Sequence, residues 1–309
     1  MPDRRSNVKA HFADTLITRI RSLGHPLCVG LDPHLDRIPP LFQQGSMAPA
    51  DPTTAESVHD FFRAYLPRLQ GKVAVVKPQS AFFEQLGWRG AQVLSEVCTQ
   101  ARDLGLIVVL DAKRGDIGST ATAYAQYLTS TGAWSADALT VNPYLGTDTL
   151  TPFADAAASN DAGIFVLVKT SNPGSGDYQD RLVDGVPLYE AVARSLAPMV
   201  ERLRGPQTGW SSLDVVVGAT YPEQALAIRG LLPQAVFLIP GYGAQGGTAA
   251  DAVVSFVKGP AGLEGGIVNS SRGVLFPDGS NCTDASTWEQ AIDTALDRAI
   301  DELGTAIAT

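Results

Sequence analysis

Eight short apolar runs constrain the fold of this 309-residue chain more than any other feature. They are LCVGLD (27–32), VAVVKP (73–78), LIVVLDAK (106–113), ALTVNP (138–143), IFVLVKT (164–170), LDVVVGA (213–219), AVFLIPG (235–241) and GGIVNSS (265–271). Each is rich in Val, Ile and Leu and lacks polar alternation, the signature of parallel strands covered on both faces. Helical patterns lie between them, at 56–69, 87–104, 120–131 and 188–203, and another follows at 288–303. Eight strand–helix units in series predict an α/β fold, a (β/α)8 TIM barrel rather than an open doubly wound sheet. Phe12, Leu16, Ile17, Ile20 and Leu23 recur at helical spacing before the first strand. They predict an extra N-terminal helix that plugs the N-terminal end of the barrel. With no repeat, low-complexity tract or linker in view, residues 1–309 are expected to form a single domain.

The formal charge of −9 argues against nucleic acid or an anionic membrane surface as a partner, since both need a basic face. It leaves room for a small anion held by local Lys and Arg. Cys28, Cys98 and Cys282 are scattered without a C-x-x-C pair, which suits a reducing compartment. His11, His25, His34 and His59 form no metal-ligand spacing with each other or with the cysteines, so no metal is expected. His34, near Asp32, reads as an ordinary loop histidine. The opening MPDRRSNVKAHF lacks a signal-peptide core, and no run of ~18 apolar residues marks a membrane span. A cytoplasmic protein is expected.

Chemistry concentrates in VVLDAKRGDIGST, 108–120, where an apolar strand ends in Asp111 and Lys113. Residues two apart on a strand share a face, so acid and base are predicted side by side before Gly115 breaks the strand. Asp32 ends the first strand, Lys77 the second, and Ser171 follows the fifth. A lone Asp before proline is ordinary turn chemistry, and a lone Lys at a strand end snorkels to water. On the rim of one barrel, however, all five face a single pocket.

The last two strands lead into PGYGAQGG, 240–247, and NSSRG, 269–273. Loops after strands seven and eight are the habitual phosphate site of this barrel, where glycines let backbone N–H groups approach the anion. Gln245 offers an amide donor there, and Arg272 a bidentate one. The irregular stretch at 171–187 lies on the same face and reads as a lid.

The run at 108–120 closely resembles the signature of orotidine 5'-phosphate decarboxylases, D-x-K-x-x-D-[IV]-x-x-T, with Asp111, Lys113, Asp116, Ile117 and Thr120 in place. The loops at 240–247 and 269–273 are similar to the phosphate gripper of that family. The resemblance implies phosphate contacts from Tyr242, Gln245 and Arg272, with Pro240 and Ser271 also at the substrate. It implies a pyrimidine contact from Ser171 and a ribose contact from Asp32. It also implies that Lys77 bridges the ribose and the acidic array, and that Asp116, Ile117 and Thr120 enter the neighbouring subunit's site, which would make an obligate homodimer. The KPQSAFFE run at 77–84 and the insertion after Ser171 match the longer subgroup of the family.

The implied reaction is decarboxylation of orotidine 5'-phosphate to UMP and CO2, the final step of de novo UMP biosynthesis. No dinucleotide loop or metal cluster is visible, so no cofactor is expected and fixed charge carries the chemistry. Lys113 would stabilise the carbanion and protonate it, with Asp111, Lys77 and Asp116 completing an alternating array. Two rivals remain. A magnesium-dependent sugar-phosphate decarboxylase or aldolase of the same superfamily shares D-x-K-x-x-D, but its second strand ends in an acidic metal ligand rather than Lys77. A non-catalytic phosphate-sensing barrel would not need the Lys–Asp–Lys array.

Overall fold

The computed structural model describes residues 11–129, 136–243 and 246–308. Eight parallel strands close into a barrel in chain order: β1 (Leu27–Leu31), β2 (Val75–Pro78), β3 (Ile107–Arg114), β4 (Ala138–Val141), β5 (Gly163–Lys169), β6 (Leu213–Val217), β7 (Phe237–Ile239) and β8 (Gly266–Ser270). β8 pairs with β1 through Leu27↔Val268 and Val29↔Ser270, so no edge strand is left open. Most strand positions are buried, as the unbroken apolar runs required, with Leu167, Asn269 and residues 112–114 at the end of β3 the more open ones.

Helix α1 (Phe12–Leu23) caps the N-terminal end of the barrel. Its Phe12, Leu16, Ile17 and Ile20 pack with inward residues such as Val75, Phe165 and Ile267. Gly163 makes this docking possible, because a Cβ there would fall 2.4 Å from the Phe12 ring. Polar contacts hold the plug in place. Asp14 accepts from the backbone N–H of Thr208 at 2.7 Å, and Arg21 grips Glu264 with two bonds of 2.7 Å.

The outer layer contains α2 (Pro52–Tyr65), α3 (Ser80–Glu84), α4 (Gly87–Asp103), α5 (Gly118–Ala125), α6 (Thr151–Asn160), α7 (Leu188–Arg202), α8 (Pro222–Leu231), α9 (Ala249–Val253), α10 (Arg272–Leu275) and α11 (Ala285–Ile307). Helix α2 starts earlier than its apolar stripe suggests, because Asp51 caps it by accepting from Thr53 N at 3.0 Å and Pro52 opens it. Helix α6 escapes sequence periodicity because its apolar face is mostly Ala. The pattern at 120–131 begins earlier, at Gly118, and tightens into a 3-10 turn at Gln126–Leu128; positions 130–131 lie outside the described residues.

The stretch at 171–187 is more regular than expected. It holds a 3-10 turn at Pro173–Asp177 and a two-stranded hairpin, Leu182–Val183 with Val186–Pro187. Among the described residues, no helix is long and apolar enough to cross a membrane.

Candidate active site

At the C-terminal ends of the strands a cavity of about 430 Å³ opens, lined by Asp32, Lys77, Asp111, Lys113, Ser171 and Pro240 among others. Five strand-end residues picked from sequence therefore do share one pocket. Lys77, on the short strand β2, donates to Asp111 Oδ2 at 2.9 Å, and Lys113 donates to Asp111 Oδ1 at 2.7 Å. Both carboxylate oxygens are thus held by ammonium groups. Lys77 is nearly enclosed, with 6% of its side chain exposed, whereas 45% of the Lys113 side chain faces the cavity. Lys113 is the cation that an incoming ligand meets.

Alternation along a regular strand does not bring Asp111 and Lys113 together. The β3–β4 register shifts between Leu110 and Arg114, and Lys113 sits at φ +47°, in the left-handed region. The bulge re-aims the lysine, a role bulges often have beside functional sites.

Burial alone would raise the Asp111 carboxyl, but the charges of Lys77 and Lys113 overcome it and hold it below the usual carboxylate range. Burial would lower the Lys77 ammonium, yet Asp111 and Asp32 outweigh that and hold it above its ordinary value. Asp111 and Lys77 are therefore both ionised across the neutral range. Asp32 lines the same cavity, and its buried Oδ1 has no hydrogen-bond partner in the structure. It is an acceptor available to a hydroxyl.

The remaining expectations separate. Asp116, Ile117 and Thr120 do not line the cavity. Asp116 accepts from the N–H of Ile117 at 2.8 Å, and Ile117 is 62% exposed on the rim. Tyr242 turns its hydroxyl to Glu302 Oε2 of α11 at 2.6 Å, away from a phosphate role in this conformation. Burial and that hydrogen bond raise the Tyr242 phenol. Ser271 has a buried hydroxyl without a partner, and Arg272 is half-buried as the first residue of α10. Gln245 lies outside the described residues. His34 packs edge-on against Phe82, with centroids 4.6 Å apart, as an ordinary loop histidine would.

Several contributors escaped the sequence reading. Gln79, Phe82, Thr140, Asn172 and Asn269 also line the cavity. Thr140 was detectable in principle, as a polar residue between Leu139 and Val141 inside an apolar run. Lys169 was not. Fully buried at the end of β5, it donates to Ser175 Oγ at 3.1 Å and Asp180 Oδ1 at 2.7 Å, bracing the loop that carries Ser171.

The chain matches the model of the orotidine 5'-phosphate decarboxylase / HUMPS family over residues 25–278. It is 43% identical over 293 residues to the orotidine 5'-phosphate decarboxylase of Rhodopirellula baltica, covering 92% of this chain and 96% of that one. The Deinococcus radiodurans enzyme of the same name is 42% identical over 268 residues, with 87% and 90% covered. Among solved structures, the OMP decarboxylase of Leishmania donovani superposes with a TM-score of 0.73 at 31% identity, covering 97% of this chain and 99% of that one. A family model spanning most of the barrel and relatives matched over nearly their whole length agree with the two-lysine grip on Asp111: the chain belongs to the orotidine 5'-phosphate decarboxylase family.

Proposed function

We propose that the chain decarboxylates orotidine 5'-phosphate to UMP and CO2, acting as a single catalytic domain, as the last step in making UMP. The observation that carries this reading is the Lys77–Asp111–Lys113 array at the mouth of the barrel. Breaking the ring–carboxylate bond leaves its electron pair on a ring carbon with no adjacent carbonyl to accept it. Lys113 holds a positive charge where that pair develops and then donates the proton that replaces CO2. Asp111 keeps Lys113 in place and sits beside the departing carboxylate. Its negative charge opposes the charged ground state and loses that opposition as neutral CO2 leaves. Asp32, with its free buried oxygen, receives a ribose hydroxyl, and Ser171 receives the pyrimidine. Pro240, Gln245, Ser271, Arg272 and, after its hydroxyl leaves Glu302, Tyr242 surround the phosphate.

The proposal extends to a cytoplasmic homodimer with shared sites. Ile117, Tyr144 and Leu145 expose 62%, 87% and 49% of their surfaces on the loops after β3 and β4. Such an apolar rim favours burial against a second copy, which would carry Asp116, Ile117 and Thr120 to the neighbouring pocket. Neither a metal nor an organic cofactor is part of the mechanism. Lys77 occupies the position where magnesium-dependent relatives place a ligand, and a buried ammonium there repels a divalent ion.

Incubation with orotidine 5'-phosphate, following the loss of orotate absorbance, tests the proposal. Turnover that persists in excess chelator is expected. Absence of turnover rejects the proposal, and turnover that only magnesium restores rejects its metal-free mechanism.

A further inference from the structure

Strand β3 leaves its ladder with β4 at Leu110↔Leu139 and rejoins it at Arg114↔Val141. Four steps along β3 therefore match two along β4, and the segment between includes both Asp111 and Lys113. A residue with a Cβ rarely holds a left-handed backbone, so something must fix Lys113 there. The Thr140 side chain takes the place of a ladder carbonyl. Lys113 N donates to Thr140 Oγ1 at 2.8 Å, and Thr140 Oγ1 lies 2.9 Å from Asp111 Oδ1.

The proton directions are unambiguous. An N–H can only donate, so the hydroxyl oxygen accepts from Lys113. The hydroxyl hydrogen is then directed at the ionised carboxylate, which can only accept. The same Asp111 oxygen also receives Lys113 Nζ at 2.7 Å. A closed ring results: Lys113 backbone, Thr140 hydroxyl, Asp111 carboxylate, Lys113 ammonium. Thr140 is 1% exposed, so water does not compete for these bonds.

We infer that Thr140 is a positioning residue for decarboxylation, fixing both the backbone from which Lys113 projects and the carboxylate that aims its ammonium. The inference rests on the role proposed above for Lys113. Thr140 need not touch the substrate to act; misplacing a reacting group by about 1 Å costs on the order of 100-fold in rate.

Thr140→Val keeps the β-branched shape and removes both hydrogen bonds. Its kcat should fall about 10- to 100-fold. UMP affinity and KM should stay within about threefold, because the groups that bind phosphate and ribose lie elsewhere. Thr140→Ser restores the hydroxyl and should recover most of the lost kcat. A Thr140→Val enzyme with unchanged kcat overturns the inference. So does a Thr140→Ser enzyme as slow as Thr140→Val, or a loss of UMP binding in step with kcat, which marks a merely structural role. Should Thr140→Val fail to fold, Thr140→Ala is judged by the same split between kcat and UMP binding. Lys113→Ala is the control. If it is inactive while Thr140→Val is fully active, the Thr140 inference alone fails. If it retains activity, the catalytic reading beneath the inference fails as well.

Discussion

Lys113 reaches Asp111 at 2.7 Å from a left-handed backbone only two positions further along the same strand. Two side chains so close in sequence ordinarily lie parallel on one face without converging. The bulge turns the lysine back onto the carboxylate while nearly half of its side chain stays open to the cavity. The ion pair is thus built into the strand itself, ahead of any ligand.

That geometry separates chemistry from binding. Lys113→Ala removes both the charge beside the reacting carbon and the proton donor, so kcat should fall by ~10⁴-fold or more. UMP should still bind within about tenfold of the parent, as measured by titration calorimetry, since Asp32 and the phosphate loops are untouched. Retained kcat would displace Lys113 from its role.

Arg272 provides the converse case. Removing a charged donor to phosphate should raise KM by ~10- to 100-fold. A smaller loss of kcat follows if phosphate binding drives closure over the ring. Steady-state kinetics of Arg272→Ala with orotidine 5'-phosphate measure both. An unaltered KM would place the phosphate elsewhere.

Asp116 tests the shared site, because it stands outside the cavity that holds Lys113. Lys113→Ala and Asp116→Ala homodimers should each be nearly inactive. In a mixed dimer, one pocket carries both lesions and the other none. Random co-assembly makes about half the dimers mixed, so about a quarter of all sites should recover if the interface is isologous. Differently tagged variants can be co-expressed and the doubly tagged dimer assayed. Activity no higher than that of the parent mutants would return Asp116 to its own subunit.

Two buried carboxylates should give opposite pH dependences of stability. Asp214 is fully buried; one oxygen accepts from Val236 N at 2.7 Å and the other has no partner in the structure. Burial raises its carboxyl well above the ordinary value. The folded chain therefore holds a proton that the unfolded chain has released, and stability falls as pH rises above about 3.9 toward the folded value. Asp214→Asn removes that slope, so it should gain on the parent between pH 5 and pH 8 in urea denaturation. Asp111 runs the other way. Its carboxyl is lowered in the folded state, so its contribution is present above about pH 3.9 and lost as pH falls toward the folded value. A stability difference between Asp214→Asn and parent that does not change with pH would mean that Asp214 is ionised in the fold throughout.

Much of this protein is legible in its residues. The eight Val/Ile/Leu runs became eight parallel strands because a strand buried on both faces has no other composition open to it. The stripe Phe12, Leu16, Ile17, Ile20 became the barrel plug. Asp32, Lys77, Asp111, Lys113 and Ser171 were grouped because strand ends converge in a barrel, and they do line one cavity. Helix α6 was hidden by its small side chains, and the turn and hairpin within 171–187 by a stretch whose order comes from side-chain braces such as Lys169.

What the sequence determined by itself, then, is the set of strands and the end of the barrel where charge gathers, because both depend on local composition and chain order. The tertiary structure alone decided how those charges meet. The bulge depends on the register of β3 against β4, and Thr140 acts only because that register carries it across to Lys113 N and Asp111. Tyr242 turned to Glu302 for a similar reason, since α11 brings that acceptor from 60 residues away. A hydrogen bond between distant residues is set by distance and angle in space, and no spacing along one chain encodes either.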